Sequence, residues 1–282
     1  TKGLAQRLKS EGKNSPADVI LTVDIGRLQV YADMKLLAKI NSKKLLANIP
    51  NHLRSNDDTW VSLSKRSRII VTSKSRVVPL SILRIEDLAD PKWKGKICTR
   101  PGSHVYNRAL MASMIAAHGI EAATKWAEGL VKNLARRPQG NDRAQVKAIH
   151  EGQCDIAIIN NYYYGKLKYS DDEKQRVWAD GLSLVFPNQG SNDRGAHINI
   201  SGGGVAKFSK NKDNAIKLLE FLSEEPSQQL YGEINFEYPV NPRVTPTQTL
   251  LDWGVFREDQ LPILTIAELS QQAQKIIDKV GW

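Results

Sequence analysis

Cys154-Asp-Ile-Ala-Ile-Ile-Asn-Asn-Tyr-Tyr-Tyr-Gly165 decides how this chain of 282 residues is read. Ile156, Ile158 and Ile159 are β-branched and no turn residue interrupts 155–160, so the segment predicts a strand. A strand that stops at Asn160-Asn161 delivers Tyr162, Tyr163 and Tyr164 to the carboxyl edge of a sheet, where open α/β folds place ligands. Two adjacent phenols at such an edge can act as oxygen donors to a metal. Tyrosine keeps its proton up to a pH of about 10. It therefore ligates well only to a strong Lewis acid that displaces the proton, and ferric iron is such an ion. The competing reading is that the rings simply pack against or cap the sheet.

Working back from this strand, 142–151 predicts a helix stopped by Gly152 and preceded by the turn Pro138-Gln-Gly140. Pro101-Gly102-Ser103 opens a helix over 104–118 that Gly119 closes, and a second helix covers 121–134. A strand at 96–100 precedes them, so Tyr106 belongs at the same sheet edge as Tyr162 and Tyr163. Because 56 residues separate Tyr106 from Tyr162, their meeting depends on the fold and is no local motif. Nearer the start, 4–12 reads as a helix, and Ser15-Pro16 turns into a buried strand over 17–24. Further on, 196–201 and 204–208 predict two short strands about a Gly202-Gly203-Gly204 break. A helical region over 213–235 is interrupted at Pro226, and a last helix spans 266–280. The alternation of strands and helices predicts a doubly wound parallel sheet. No repeat or low-complexity linker marks a domain boundary.

Hydrophobic residues make up 41% and charged residues 25%, as in ordinary globular proteins, and the length suits two domains. No apolar stretch approaches the roughly 20 residues of a membrane helix. The start, Thr1-Lys-Gly-Leu-Ala-Gln6, shows no signal peptide, so an export signal is expected to have been removed or left out. The net charge of +10 raises a nucleic-acid reading. Against it, the cations are dispersed among acids, and no zinc-finger spacing, RNA-binding aromatic signature or basic helix occurs. A basic surface suits anions or acidic partners equally well.

Lys65-Arg66-Ser67-Arg68 is the densest basic cluster and abuts Ile69-Ile70-Val71. Arg66 and Arg68 can hold a planar oxyanion bidentately or form a solvated strand face. Arg100-Pro-Gly-Ser103, ahead of a helix, offers backbone donors to an anion. Cys98 and Cys154 lie in strand-like segments; neighbouring strands would let them pair, and two buried free thiols are the alternative. The glycine run is no dinucleotide motif, and no Walker lysine, GxSxG or HExxH occurs. Five scattered histidines form no triad; His104 and Tyr106, two apart on a helix, should not share a face. Nothing suggests an enzyme.

These residues resemble a known family. Ser15-Pro-Ala-Asp-Val-Ile-Leu-Thr-Val-Asp24, Asp90-Pro-Lys-Trp-Lys-Gly95, Pro138-Gln-Gly-Asn-Asp142, Asn160-Asn-Tyr-Tyr-Tyr-Gly165, Asn199-Ile-Ser-Gly202 and Glu237-Tyr-Pro-Val240 are similar to segments of the periplasmic ferric-iron-binding proteins of ABC importers. The likeness runs in order along essentially the whole chain. It implies a two-lobed type II periplasmic-binding-protein fold, with α/β lobes of doubly wound sheets joined by crossing strands. It also implies capture of Fe(III) between lobes without catalysis, and delivery to an inner-membrane ABC permease by a periplasmic monomer. Tyr162 and Tyr163 match the paired iron ligands, Tyr164 a neighbour that is usually none, and Tyr106 the further ligand of a tyrosine-rich subgroup. Arg66 or Arg68 resembles the basic strand that supports a synergistic anion such as carbonate; Ser103 joins them as an anion-binding candidate.

Two departures stand out. Val23 occupies the position at which some members supply a glutamate, and the chain begins after the strand and helix that open other members, so the first lobe is expected to lack them. Lobe one is then expected from 1–68 and 197–247, and lobe two, bearing the tyrosines, from 69–196 and 248–282. A Cys98–Cys154 disulfide is expected. The alternative function is a receptor of the same fold for another small solute, an oxyanion or an organic cation, with the tyrosines as an aromatic wall.

Overall fold

Seven strands organise the computed structural model, which describes residues 2–282: β1 Val19–Val23, β2 Leu37–Ala38, β3 Val61–Ser73, β4 Ile97–Cys98, β5 Ile156–Asn160, β6 Leu182–Val185 and β7 Ile198–Ala206. The chain forms two compact units. The first takes the residues up to Lys65 together with Asn199–Asp252 and Leu261–Ala267. The second takes Arg66–Ile198, Trp253–Gln260 and Glu268–Trp282. The chain therefore changes unit within β3 and at the start of β7, a few residues from 68/69 and 196/197. The segment after 247 is shared instead of falling wholly in the second unit, because Leu250, Ile263 and Ile266 are buried in the first.

In the first unit, β7 pairs antiparallel with β1 and with β2. β1 was expected to be buried, yet Leu21 is 55% exposed and Val23 37%. It stands at the end of the strand order, so one flank and much of one face meet solvent. The expected break at Gly202-Gly203-Gly204 is absent, and β7 runs straight through. Side chains at Gly202, Gly203 and Gly204 would place Cβ within 2.6 Å of the carbonyl oxygens of Val61, Ile20 and Thr59. Glycine here admits close backbone neighbours on both faces of a continuous strand.

In the second unit, β5 pairs antiparallel with β3, and β3 antiparallel with β6. Among the described strand pairs of this unit, only β4 and β5 run parallel. The sheet is thus mixed and not doubly wound in parallel. The reason is that β3 enters from the first unit and runs counter to β5, and a long strand crossing between units need not obey the handed βαβ crossover. Ile69, Val71, Val146, Ile149, Ala157, Ile159, Leu167 and Leu182 form a core against one face of β5. Cys98 and Cys154 are joined by a disulfide, with Cα atoms 5.9 Å apart, inside this core.

The long helix Val105–Lys132 is two helices merged across Gly119, whose φ of 77° and ψ of 169° lie outside helical space. Only glycine reaches that conformation cheaply. The helices Lys212–Leu222 and Glu225–Asn235 are separated at 223–224, and Pro226 occupies a first-turn position of the second, where its missing N–H costs nothing. No described helix is long and apolar enough to cross a membrane.

Candidate metal centre

β5 ends at Asn160 and the chain turns directly into the helix Asn161–Lys168. The tyrosines therefore sit in the first turn of a helix. Its period explains their different fates. Tyr164 and Leu167, three apart, face the core, and Tyr164 packs edge-on against Trp253 with ring centroids 5.3 Å apart. Tyr162 and Tyr163 are half-buried, with ring centroids 4.5 Å apart at 34°. Buried Asn161 anchors the turn, its Oδ1 accepting from the Ser67 backbone N–H at 2.8 Å.

Tyr106 reaches the same place from the other strand. β4 leads through Thr99 to Ser103 into the helix that starts at Val105. His104 is its N-cap: its ring nitrogen accepts from the Tyr106 N–H at 3.3 Å. Being a cap with extended backbone and not a helical residue, His104 swings its ring edge-on to Tyr106, centroids 4.5 Å apart. The expectation that these two side chains stay apart fails for that reason. The Tyr162 hydroxyl donates to the Tyr106 hydroxyl at 3.1 Å, and Asn160 Nδ2 donates to the Tyr162 oxygen at 3.3 Å. Two phenol oxygens separated by 56 residues of sequence thus meet at hydrogen-bond distance.

Cations surround these rings. The guanidinium carbons of Arg100, Arg66 and Arg68 lie 5.0, 5.5 and 6.0 Å from the Tyr106 centroid. Arg143 stands 5.4 Å over Tyr163 and the Lys166 ammonium 5.7 Å over Tyr162. Arg66 and Arg68 are each only 2% exposed, which rules out a solvated strand face. Arg68 donates to Asp142 at 2.6 Å, to Asn160 Oδ1 at 3.2 Å and to Asn107 Oδ1. Arg100 donates to the other oxygen of Asp142 at 3.1 Å, and the Asn160 N–H to Asp142 at 2.8 Å. One fully buried carboxylate thus braces two arginines and the end of β5. Ser103 is exposed at the mouth of the helix.

Burial, and then the neighbouring Tyr106, push the Tyr162 phenol well above the ordinary tyrosine value, with Arg66 pulling the other way. That environment favours the protonated phenol. His197 is buried, and burial together with Arg194, Arg68 and Arg66 holds its imidazole neutral. Among the described residues, no three His, Cys, Asp or Glu side chains gather where a metal could sit. Phenolic oxygen is thus the donor type gathered here, and hard trivalent cations prefer oxygen.

Asp142, Asn107 and Asn160 were not singled out from the sequence, and Arg100 only as the start of a stretch offering backbone donors. Asp142 and Asn160 lie inside quoted motifs, but a contact such as Arg68 to Asp142, 74 residues apart, leaves no local pattern.

Comparison with known proteins places this geometry in context. A family model described as bacterial extracellular solute-binding protein matches residues 14–254. Iron uptake protein A1 of Synechocystis is 41% identical over 279 residues, covering 99% of this chain and 77% of that protein. Ferric iron-binding protein A of Mannheimia haemolytica, solved in an open conformation, is 48% identical with a TM-score of 0.93, covering 99% of this chain and 87% of that one. A Trichodesmium protein solved in complex with iron and citrate is 45% identical with a TM-score of 0.95, covering 100% and 88%. With over half its length matched by the family model, this chain belongs to the bacterial extracellular solute-binding proteins.

Proposed function

We propose that this protein is a periplasmic receptor that captures ferric iron through the phenolate oxygens of Tyr106, Tyr162 and Tyr163 and hands it to an inner-membrane ABC permease. The observation that carries the reading is the 3.1 Å approach of the Tyr106 and Tyr162 hydroxyls, with the Tyr163 ring tilted against that of Tyr162. Relatives named for iron uptake and ferric binding support it.

The chemistry follows from charge. Three phenolates neutralise Fe(III), and the surplus of buried guanidinium over carboxylate leaves the loaded site positive. An oxyanion, carbonate or a carboxylate ligand such as citrate, completes the oxygen shell and offsets that charge. Arg66 is the leading candidate to hold it. Arg68, bound to Asp142, supports from behind, and Ser103 lies at the helix start where an anion would approach. The role is binding and release without turnover.

The test is titration of iron-free protein with ferric citrate, following the visible phenolate-to-iron charge-transfer band. The band is expected in the wild type and lost in Tyr162→Phe and Tyr163→Phe. Retention of an unaltered band in both variants would refute the ligand assignment. A wild type that gives no band but binds an organic cation would favour the other small-solute reading.

A further inference from the structure

Trp282 lies far in sequence from every candidate ligand, yet it is packed beneath the loop that carries one. Its ring is 6% exposed and stacks edge-on against Trp126, centroids 5.8 Å apart. Its indole N–H donates to Thr99 Oγ1 at 2.9 Å, and its backbone carbonyl accepts from the Gly102 N–H at 3.1 Å. The fit at Gly102 is close: a Cβ there would stand 2.7 Å from Trp282 Cγ and 2.9 Å from its carbonyl oxygen. Trp282 thus holds both ends of the 99–102 segment. On the opposite side the same segment is held by Asn107, whose Nδ2 donates to the Arg100 carbonyl at 2.9 Å and whose Oδ1 is bonded by Arg68. Between these two clamps the loop turns into the helix that presents Tyr106.

We infer that Trp282 is a positioning residue of the iron site, setting the place of Tyr106 by fixing the loop from Thr99 to Ser103. The inference rests on the ferric-iron reading above. The Tyr106 hydroxyl must stand within about 3 Å of a shared point with that of Tyr162. The loop has no strand ladder beyond Cys98 to hold it there. Beside Asn107, the Arg100–Asp142 pair and the Gln139 N–H on the Thr99 carbonyl, the indole and the helix Ser270–Val280 that delivers it add a constraint at both ends of the loop, reinforced by Arg108 donating to Gln274 at 3.2 Å. A side chain that orients a metal ligand without touching the metal typically changes affinity about 10–100-fold when removed.

Wild type, Trp282→Ala, Trp282→Phe, Gly102→Ala, Leu182→Ala and Tyr162→Phe are titrated with ferric citrate. Iron affinity, the wavelength of the charge-transfer band and Tm are read for each. Trp282→Ala and Gly102→Ala are expected to weaken iron binding about 10–100-fold and to move the band. Trp282→Phe, which keeps the ring on Gly102, should recover most of the affinity. Leu182→Ala, a core truncation on β6 opposite the far end of β3, should lower Tm while leaving the band in place. Wild-type affinity and band position in folded Trp282→Ala would overturn the inference, and Gly102→Ala decides it should Trp282→Ala fail to fold. Loss of the band in Tyr162→Phe alongside unchanged Trp282 and Gly102 variants sinks the positioning role alone. An intact band in Tyr162→Phe sinks the ferric-iron reading beneath it.

Discussion

At the scale of single residues, Asp142 carries more of the site than any tyrosine does. Its two oxygens accept from Arg68, Arg100 and the end of β5 with no exposure to water. Removing one partner of a buried, hydrogen-bonded ion pair leaves uncompensated charge, at a cost of about 3–5 kcal/mol. Asp142→Asn is therefore expected to lower unfolding free energy by several kcal/mol in a urea titration, and a change below about 1 kcal/mol would show that the arginines find another partner. The phenols predict a pH dependence whose sign is fixed. Burial raises the Tyr162 pKa, so the iron-free phenol is protonated at neutral pH and binding must release that proton. Apparent affinity should rise with pH and fall on acidification, by about tenfold per pH unit for each proton released. Isothermal titration in buffers of different ionisation enthalpy counts those protons; none released would contradict phenolate ligation.

Between residue and whole molecule, the elements act as rails. β4 and β5 are parallel neighbours tied by the disulfide, and each leads at its carboxyl end into a helix start bearing a candidate ligand. The spacing is the same on both rails, since Cys98 to Tyr106 and Cys154 to Tyr162 are each eight residues, although the first interval is loop and helix start and the second contains β5. Closing a loop of 56 residues stabilises a fold by about 4 kcal/mol in the chain-entropy picture. Replacing both cysteines by serine is expected to lower the denaturant midpoint accordingly, with an iron band that persists but is bound more weakly. An unchanged midpoint would mean that the packed core alone sets the spacing of the two strands. Tyr164 shows the same logic on the helix itself. Next to half-buried Tyr163, it is buried within the core and packed on Trp253, so Tyr164→Phe should leave the iron band intact.

For the molecule as a whole, the net charge of +10 bears on encounter and not on fold. An anionic ferric chelate should be drawn in by a long-range field, and its association rate should fall as salt shortens the Debye length from about 30 Å at 0.01 M to about 8 Å at 0.15 M. Stopped-flow mixing with ferric citrate across that range measures it; a salt-independent rate would confine the effect of the cations to the bound state.

Much of this was legible in the sequence because it is local. The β-branched run before Asn160, and Gly119, Gly152 and Pro226 as helix punctuation, are decided within a few residues by backbone sterics and side-chain burial; the helix that takes up the three tyrosines was not read. The family likeness rests on ordered motifs of the same kind. What the sequence left open is what distance in the chain conceals. The direction of β3 against β5, the uninterrupted passage of β7 through three glycines, the burial of Arg66 and Arg68 and the grip of Asp142 and Trp282 all depend on packing between remote segments. Hydrophobic pattern fixes which faces turn inward, but only the tertiary structure brings two phenols 56 residues apart, and an indole and a hydroxyl 183 residues apart, into contact.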